Sequence, residues 1–398
     1  MTVPFELRTA PAILFGRGVR ARLGEQAKPF GRRAFVVVGG RSLAGSGELA
    51  RLEANLAASG VAFTSFPVTG EPDVAVVDEA VRCCRDAGCD LVVGIGGGSV
   101  LDAAKATAAV ITNGGASIDF LSDLPGGGGR SIQKAPLPFI AVPTTAGSGS
   151  EVTKNAVLRV PGASLKRSVR SDLMVPRVAL VDPGLAGSAP RDVTVPAALD
   201  ALTHLLEGYV SRGHQPTTDA LALEGVRRSV AALRSLADGA PTTTVIDDLA
   251  LASLWGGVVL ANAGLGAVHG LVAPLGGRFP VPHGCGCGAL LAATIRTNVA
   301  ALSLREPGSE ALARYDQLAA IVVGRPAGPE EAADAIASLR ARLGARSLGA
   351  YGVTSADFAA VVAGARGGSM KTNPIVLTDS ELEAILQASL DADAGRRA

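Results

Sequence analysis

Aromatic residues are scarce in this 398-residue chain: one Trp, three Tyr and ten Phe. Charge is scarce as well. Only 18% of residues are charged, and 37 Lys plus Arg against 36 Asp plus Glu leave a formal charge of +1. That balance argues against a nucleic-acid partner or a membrane surface, both of which call for a basic face. No run of 18 consecutive apolar residues occurs, so no membrane span is expected. Cysteine is sparse and odd in number: Cys83, Cys84, Cys89, Cys285 and Cys287. Such a set does not make a disulfide framework, and reduced thiols in a cytoplasmic location are expected. The opening MTVPFELRTAPAILFGRG has no basic segment followed by an apolar run, which agrees with that expectation.

What is present is apolar residues, 48% of the chain, and 50 glycines clustered at turns. The length allows two domains and a sizeable core. Short continuous apolar runs bounded by glycine, RAFVVVG at 33–39 and LVVGIGGG at 91–98, have the pattern of buried parallel strands. VAFTSFPV, LPFIAVPTT at 137–145 and ALVDPG at 179–184 read as further strands, and FELRTAPAILF at 5–15 as a strand or strand pair. Helical patterns lie between them, so βαβ units and a parallel sheet are expected. After Pro190 helical periodicity dominates, over 194–211, 217–238, 246–263, 286–303, 309–323, 329–344 and 380–390. The expected organisation is an N-terminal α/β domain with a parallel sheet, residues 1–187, and an all-helical C-terminal domain, residues 188–398.

All four histidines fall between residues 200 and 283, and three of them, His204, His269 and His283, form one constellation with Asp200. Asp200 and His204 are four apart in a helical segment, which puts both on one face. His269 and His283 are separated by Pro274, Gly276, Gly277 and Pro282, so they belong to different elements that can converge. One carboxylate and three imidazoles suit a borderline divalent cation such as Fe2+ or Zn2+. A capping Asp and three separately satisfied histidines is the competing reading. Glu207 shares the Asp200 and His204 face and could accept from a ligand imidazole. Cys285 and Cys287, in HGCGCGALL, read as small apolar groups at a helix start.

A second signal lies at two strand-to-helix turns. In GGGSVLDAAK, three glycines permit positive φ and close backbone approach, and the helix N-terminus offers N–H groups to an anion such as a pyrophosphate. Gly97, Gly98, Ser99 and Asp102 are the candidate contacts. PTTAGSGSEVTKN follows the next strand, with Thr144, Thr145 and Ser148 at its carboxyl end, the ligand-binding edge of an open α/β sheet.

GGGSVLDAAK, PTTAGSGSEVT, DALTHLLEGYVS and the HGLVAPLGG…PHG pair, in that order, resemble the iron-containing (group III) alcohol dehydrogenases. The resemblance spans about residues 10–390. It implies a dinucleotide-binding N-terminal domain and a metal-binding helical domain. It implies Asp200, His204, His269 and His283 as metal ligands, favours Fe2+ over Zn2+, and adds Lys166 and Leu185 to the dinucleotide contacts. A homodimer or larger homo-oligomer is implied too.

The chain departs from the family pattern in places. Where many relatives carry an Asp after the first strand, this chain has Gly40, Arg41 and Ser42, which removes a repulsion toward a 2′-phosphate and adds a cation. NADP(H) is therefore expected beside NAD(H). Four residues after His269, where relatives often carry a histidine associated with proton transfer, stands Ala273. The remaining histidine, His214, is a candidate for that role. Glu71, Asn155, Leu260 and Lys371 are candidate substrate contacts. The expected activity is metal-dependent, NAD(P)-linked alcohol dehydrogenation or aldehyde reduction on a small molecule. The alternatives are a maleylacetate-reductase-like reduction of an anionic substrate and a dehydroquinate-synthase-like lyase.

Overall fold

The computed structural model describes residues 4–39, 43, 45–121, 128–161, 165–239 and 241–390. The chain divides into two compact units, Arg8–Pro190 and Met1–Leu7 with Arg191–Ala398.

The first unit is built on strands β1 (Ala12–Phe15), β2 (Arg33–Gly39), β3 (Ala62–Val68), β4 (Leu91–Gly96), β5 (Phe139–Pro143) and β8 (Val178–Val181), with a separate hairpin of β6 (Asn155–Val160) and β7 (Leu165–Arg170). The six-stranded sheet has the order β1-β8-β5-β4-β2-β3, and its pairs are parallel. Its longer helices are α1 (Glu48–Ala58), α2 (Val74–Asp86) and α3 (Gly98–Asn113).

The two-residue period of a strand explains why these runs are continuously apolar. In β2, Val36 and Val38 enter a core that includes Leu52 and Leu56 of α1. Phe35 and Val37 enter another with Ala80 of α2 and Leu101 and Ala104 of α3. β4 and β5 are buried along their whole lengths. From β2 the chain moves outward to β3, and from β4 it moves the other way to β5, so the strand order reverses between β2 and β4. Ligands of open α/β sheets bind at the carboxyl ends beside such a reversal, where Gly39, Gly96 and Pro143 stand.

Two expectations need correction in this unit. Only residues 12–15 of the 5–15 segment are strand, because Pro11 has no N–H for a ladder. The β6–β7 hairpin was not read at all. Val157 is 37% exposed beside buried Ala156 and Leu158, so apolar identity does not follow the buried face.

The second unit contains helices α4 (Arg191–Val210), α5 (Pro216–Asp238), α6 (Thr243–Ala263), α7 (Ala267–Arg278), α8 (His283–Arg305), α9 (Glu310–Val323), α10 (Pro329–Arg342), α11 (Phe358–Ala365) and α12 (Asp379–Leu390), and no strand among its described residues. α4 is buried along most of its length and packs against α5, α6 and α8. α6 and α8 are long and apolar enough to cross a membrane, yet 61% and 67% of their most apolar windows are buried within the fold.

α7 was not expected as a helix. Its sequence AVHGLVAPLGGR carries three glycines and Pro274, all poor helix formers. Packing decides otherwise: a methyl on Gly270 would lie 2.7 Å from Met370 Cε, so the glycine admits a neighbour that a larger residue would displace.

Candidate metal centre and dinucleotide turns

α4 presents Asp200 and His204 one helical turn apart. α7 contributes His269 from its first turn, and α8 begins at His283. The three imidazoles converge on one carboxylate oxygen. From Asp200 Oδ1 the distances are 3.7 Å to His204 Nε2, 3.3 Å to His269 Nε2 and 3.6 Å to His283 Nε2. Bonds of 2.0–2.3 Å to a common ion place the donors of a tetrahedron about 3.3–3.8 Å apart. The spacing thus fits donors around a divalent cation. The rings of His204 and His269 stack with centroids 4.7 Å apart, and those of His269 and His283 are tilted at 5.5 Å. Asp200, His204 and His269 are buried, whereas the His283 side chain is 42% exposed, which leaves the cluster an open side.

Glu207, one turn beyond His204, fixes His269. Its carboxylate accepts from His269 Nδ1 at 2.7 Å, from the His269 backbone N–H at 3.3 Å and from the Val268 N–H at 2.7 Å. A donating Nδ1 leaves Nε2 to face Asp200, where with a cation bound it would be the lone-pair donor. Burial raises the pKa of Asp200, but His204, His283 and His269 outweigh it and hold the carboxyl well below the usual range. Burial lowers the pKa of His269, and its negative neighbours reverse that to well above the ordinary imidazole value. Burial pushes the Cys287 thiol up to about 12. Cys287, Asp200 and Glu207 are the neighbours that raise His269.

Cys287 was expected only to fill space. The structure instead puts its Sγ 3.4 Å from Asp200 Oδ1 and 3.8 Å from His269 Nε2. Donor atoms of Asp200, His269, His283 and Cys287 all lie within 4.8 Å of one another. The signal was available in the sequence, since His283 and Cys287 repeat the four-residue spacing of Asp200 and His204.

In the first unit the two polar turns interlock. Gly97 caps α3 without a side-chain hydrogen bond, so no N-cap side chain takes an N–H of the first turn. Its φ is −74°, and neither Gly97 nor Gly98 adopts positive φ, so of the two reasons expected for glycine here that one does not hold. Close approach is the reason. A methyl on Gly98 would lie 2.7 Å from Ser148 Oγ, and one on Gly97 3.1 Å from Thr145 Oγ1. The Thr144 N–H donates to Gly96 O at 3.0 Å. A backbone cradle with hydroxyls on one side and an uncapped helix start on the other fits a pyrophosphate.

Asp102 does not leave its carboxylate free beside this cradle. It accepts from Ser150 Oγ at 2.7 Å and from the Val157 N–H at 2.9 Å. Buried Lys105 Nζ, with three N–H groups, lies 2.8–3.0 Å from Ser150 O, Ser150 Oγ, Thr153 Oγ1 and Asn155 O, and so pins the second turn to α3. Burial lowers its pKa to about 8, against Asp102 and Glu151, and burial raises that of Glu151 to about 7.

The remaining candidates are scattered. Lys166 is 2.7 Å from Glu71 in an ion pair. Leu185 is buried in the sheet core within the short helix Pro183–Ala186. Asn155 opens β6, and Leu260 lies near the end of α6. Lys371 is exposed in the turn Gly368–Thr372. His214 is engaged by Asp219 at 3.1 Å and Glu310 at 2.5 Å. Gly40, Arg41 and Ser42 lie outside the described residues.

Comparison with known proteins bears on both units. Residues 10–183 match the family described as iron-containing alcohol dehydrogenase, and residues 194–390 match its C-terminal region. The chain is 32% identical over 352 residues to a probable alcohol dehydrogenase, EutG, of Escherichia coli K12, covering 88% of this chain and 85% of that protein. It is 33% identical to the NAD-dependent methanol dehydrogenase of Bacillus methanolicus, over 69% of this chain and 71% of that one. A variant of ADH/D1, an archaeal halo-thermophilic alcohol dehydrogenase from a Red Sea brine pool, superposes with a TM-score of 0.89 at 26% identity, covering 98% and 99% of the two chains. These matches do not favour the maleylacetate-reductase-like or lyase alternatives. Matched across both units, the chain belongs to the iron-containing alcohol dehydrogenase family.

Proposed function

We propose that the chain interconverts a small alcohol and its aldehyde with NAD(H) or NADP(H), using a divalent cation, Fe2+ ahead of Zn2+, held by Asp200, His204, His269 and His283. The observation that carries this reading is the convergence of three imidazole Nε2 atoms on Asp200 Oδ1, within 3.7 Å. In this reading residues 1–187 bind the dinucleotide and residues 188–398 the metal. When bound, the cation supplies Lewis-acid polarisation of the substrate oxygen and the nicotinamide supplies or accepts the hydride.

The chain's own residues do the positioning. Glu207 holds His269 in the tautomer that directs Nε2 inward. Asp200 brings negative charge to three imidazoles. Gly97 and Gly98 keep the pyrophosphate cradle open, with Ser99, Thr144, Thr145 and Ser148 offering N–H and hydroxyl groups. Lys166 and Leu185 extend the dinucleotide contacts, and Arg41 with Gly40 and Ser42 admits a 2′-phosphate. Glu71, Asn155, Leu260 and Lys371 are the substrate-side candidates. At position 273 an exposed alanine stands one turn beyond His269, so the proton travels by water, by a ribose hydroxyl or by another side chain. The five free thiols support a reducing, cytoplasmic setting. β1, at the sheet edge with Ile13 38% exposed, supports assembly with a second copy.

An aldehyde panel run with NADH and with NADPH, on protein reconstituted with each metal, tests the reading. Consumption of reduced cofactor that disappears in His269→Ala is expected. Full turnover in His269→Ala overturns the metal-centred mechanism.

A further inference from the structure

We propose that Cys287 is itself a ligand of the cation, so that the centre is a mixed nitrogen, oxygen and sulfur site rather than three imidazoles and a carboxylate alone. The inference rests on the metal-centre reading above. Cys287 lies one turn after His283 on the same face of α8 and is fully buried. Its Sγ faces two proposed ligands, Asp200 Oδ1 at 3.4 Å and His269 Nε2 at 3.8 Å. Both distances are those of a sulfur about 2.3 Å and an oxygen or nitrogen about 2.0–2.1 Å from one shared ion.

The backbone holds the sulfur in this place. A methyl on Gly284 would lie 1.9 Å from Pro196 O, and one on Gly288 would lie 2.8 Å from Leu199 Cδ1. Glycines on either side of Cys287 thus seat α8 directly on α4, the helix that carries Asp200 and His204. On metal binding the Cys287 S–H bond breaks, its proton passes to solvent and a metal–sulfur bond forms, with no change of oxidation state. A thiolate donor strengthens the hold on Zn2+ and Co2+ relative to harder cations. The competing arrangement is a thiol that only donates a hydrogen bond to Asp200.

Cobalt-loaded full-length protein separates the two. Visible d–d bands report Co2+ in the site, and a near-ultraviolet sulfur-to-cobalt charge-transfer band reports the thiolate. Both are expected in the unsubstituted protein and in Cys285→Ser. Cys287→Ser is expected to keep the visible bands, lose the near-ultraviolet band and bind Zn2+ about 10–100-fold more weakly. X-ray absorption of the zinc-loaded unsubstituted protein, which needs no variant to fold, is expected to show one sulfur at about 2.3 Å. Visible bands without the charge-transfer band, or its loss in Cys285→Ser alone, overturn the proposal and leave Cys287 a hydrogen-bond donor. Failure to take up cobalt at all overturns the metal-centre reading beneath it.

Discussion

Glu207 grips His269 at two points, 2.7 Å from its ring Nδ1 and 3.3 Å from its backbone N–H, and takes the neighbouring Val268 N–H as well. One carboxylate thereby fixes a helix start and the aim of a ligand imidazole together. Glu207→Ala is expected to weaken metal binding about 10–100-fold. It is also expected to cost about 1–3 kcal/mol of stability, because a buried N–H loses its acceptor. Glu207→Gln, whose amide oxygen still accepts, should fall between. Calorimetric metal titration with urea unfolding checks both effects. Equal metal affinity in all three forms would remove the positioning role.

Gly98 faces Ser148 across the interlocked turns. In Gly98→Ala the new methyl meets Ser148 Oγ at 2.7 Å and Ser148 Cβ at 2.9 Å, so the second turn must shift. Overpacking of this kind costs about 1–3 kcal/mol. NAD(P)H binding is expected to weaken by about tenfold, equivalent to 1.4 kcal/mol, with metal affinity unchanged. Cofactor fluorescence titration reads the first and metal titration the second. An unchanged cofactor affinity would place the dinucleotide elsewhere.

Glu151 is buried behind the same turn, and burial raises its pKa from 4.5 to about 7. The folded state therefore holds its proton more tightly than the unfolded state. Its contribution to stability is present in full below pH 4.5 and is lost as pH rises to 7, by about 3 kcal/mol. Lys105, at about 8, stays protonated through that window. Glu151→Gln should flatten this dependence, so the stability difference between variant and parent should move in favour of the variant from pH 5 to pH 7.5. Urea unfolding at both values measures it. A difference that does not change with pH would show that Glu151 is ionised throughout.

Much of the fold was legible because the relevant signals are local. Runs such as RAFVVVG and LVVGIG read as strands buried on both faces, and four-residue spacing put Asp200 and His204 on one face. Glycine-rich strand-to-helix turns marked the sheet edge correctly, with close approach rather than positive φ as the reason: Gly98 is needed for its closeness to Ser148. α7 was hidden because glycine and proline dominate local propensity, and only packing against residues such as Met370 offsets their cost.

The sequence by itself determined the family resemblance, the parallel sheet, the helical second half and the candidate ligand set, since each follows from residue type, period and spacing along the chain. Only the tertiary structure decided that Cys287 joins Asp200 and His269, that Glu207 aims His269, and that Asp102 is held by Ser150 and Val157. These are relationships between residues 18 to 87 positions apart. Four-residue spacing puts Cys287 on the His283 face, but periodicity alone pairs none of these residues with its partner; the pairings arise where separate elements pack closely enough for buried polar groups to find their partners.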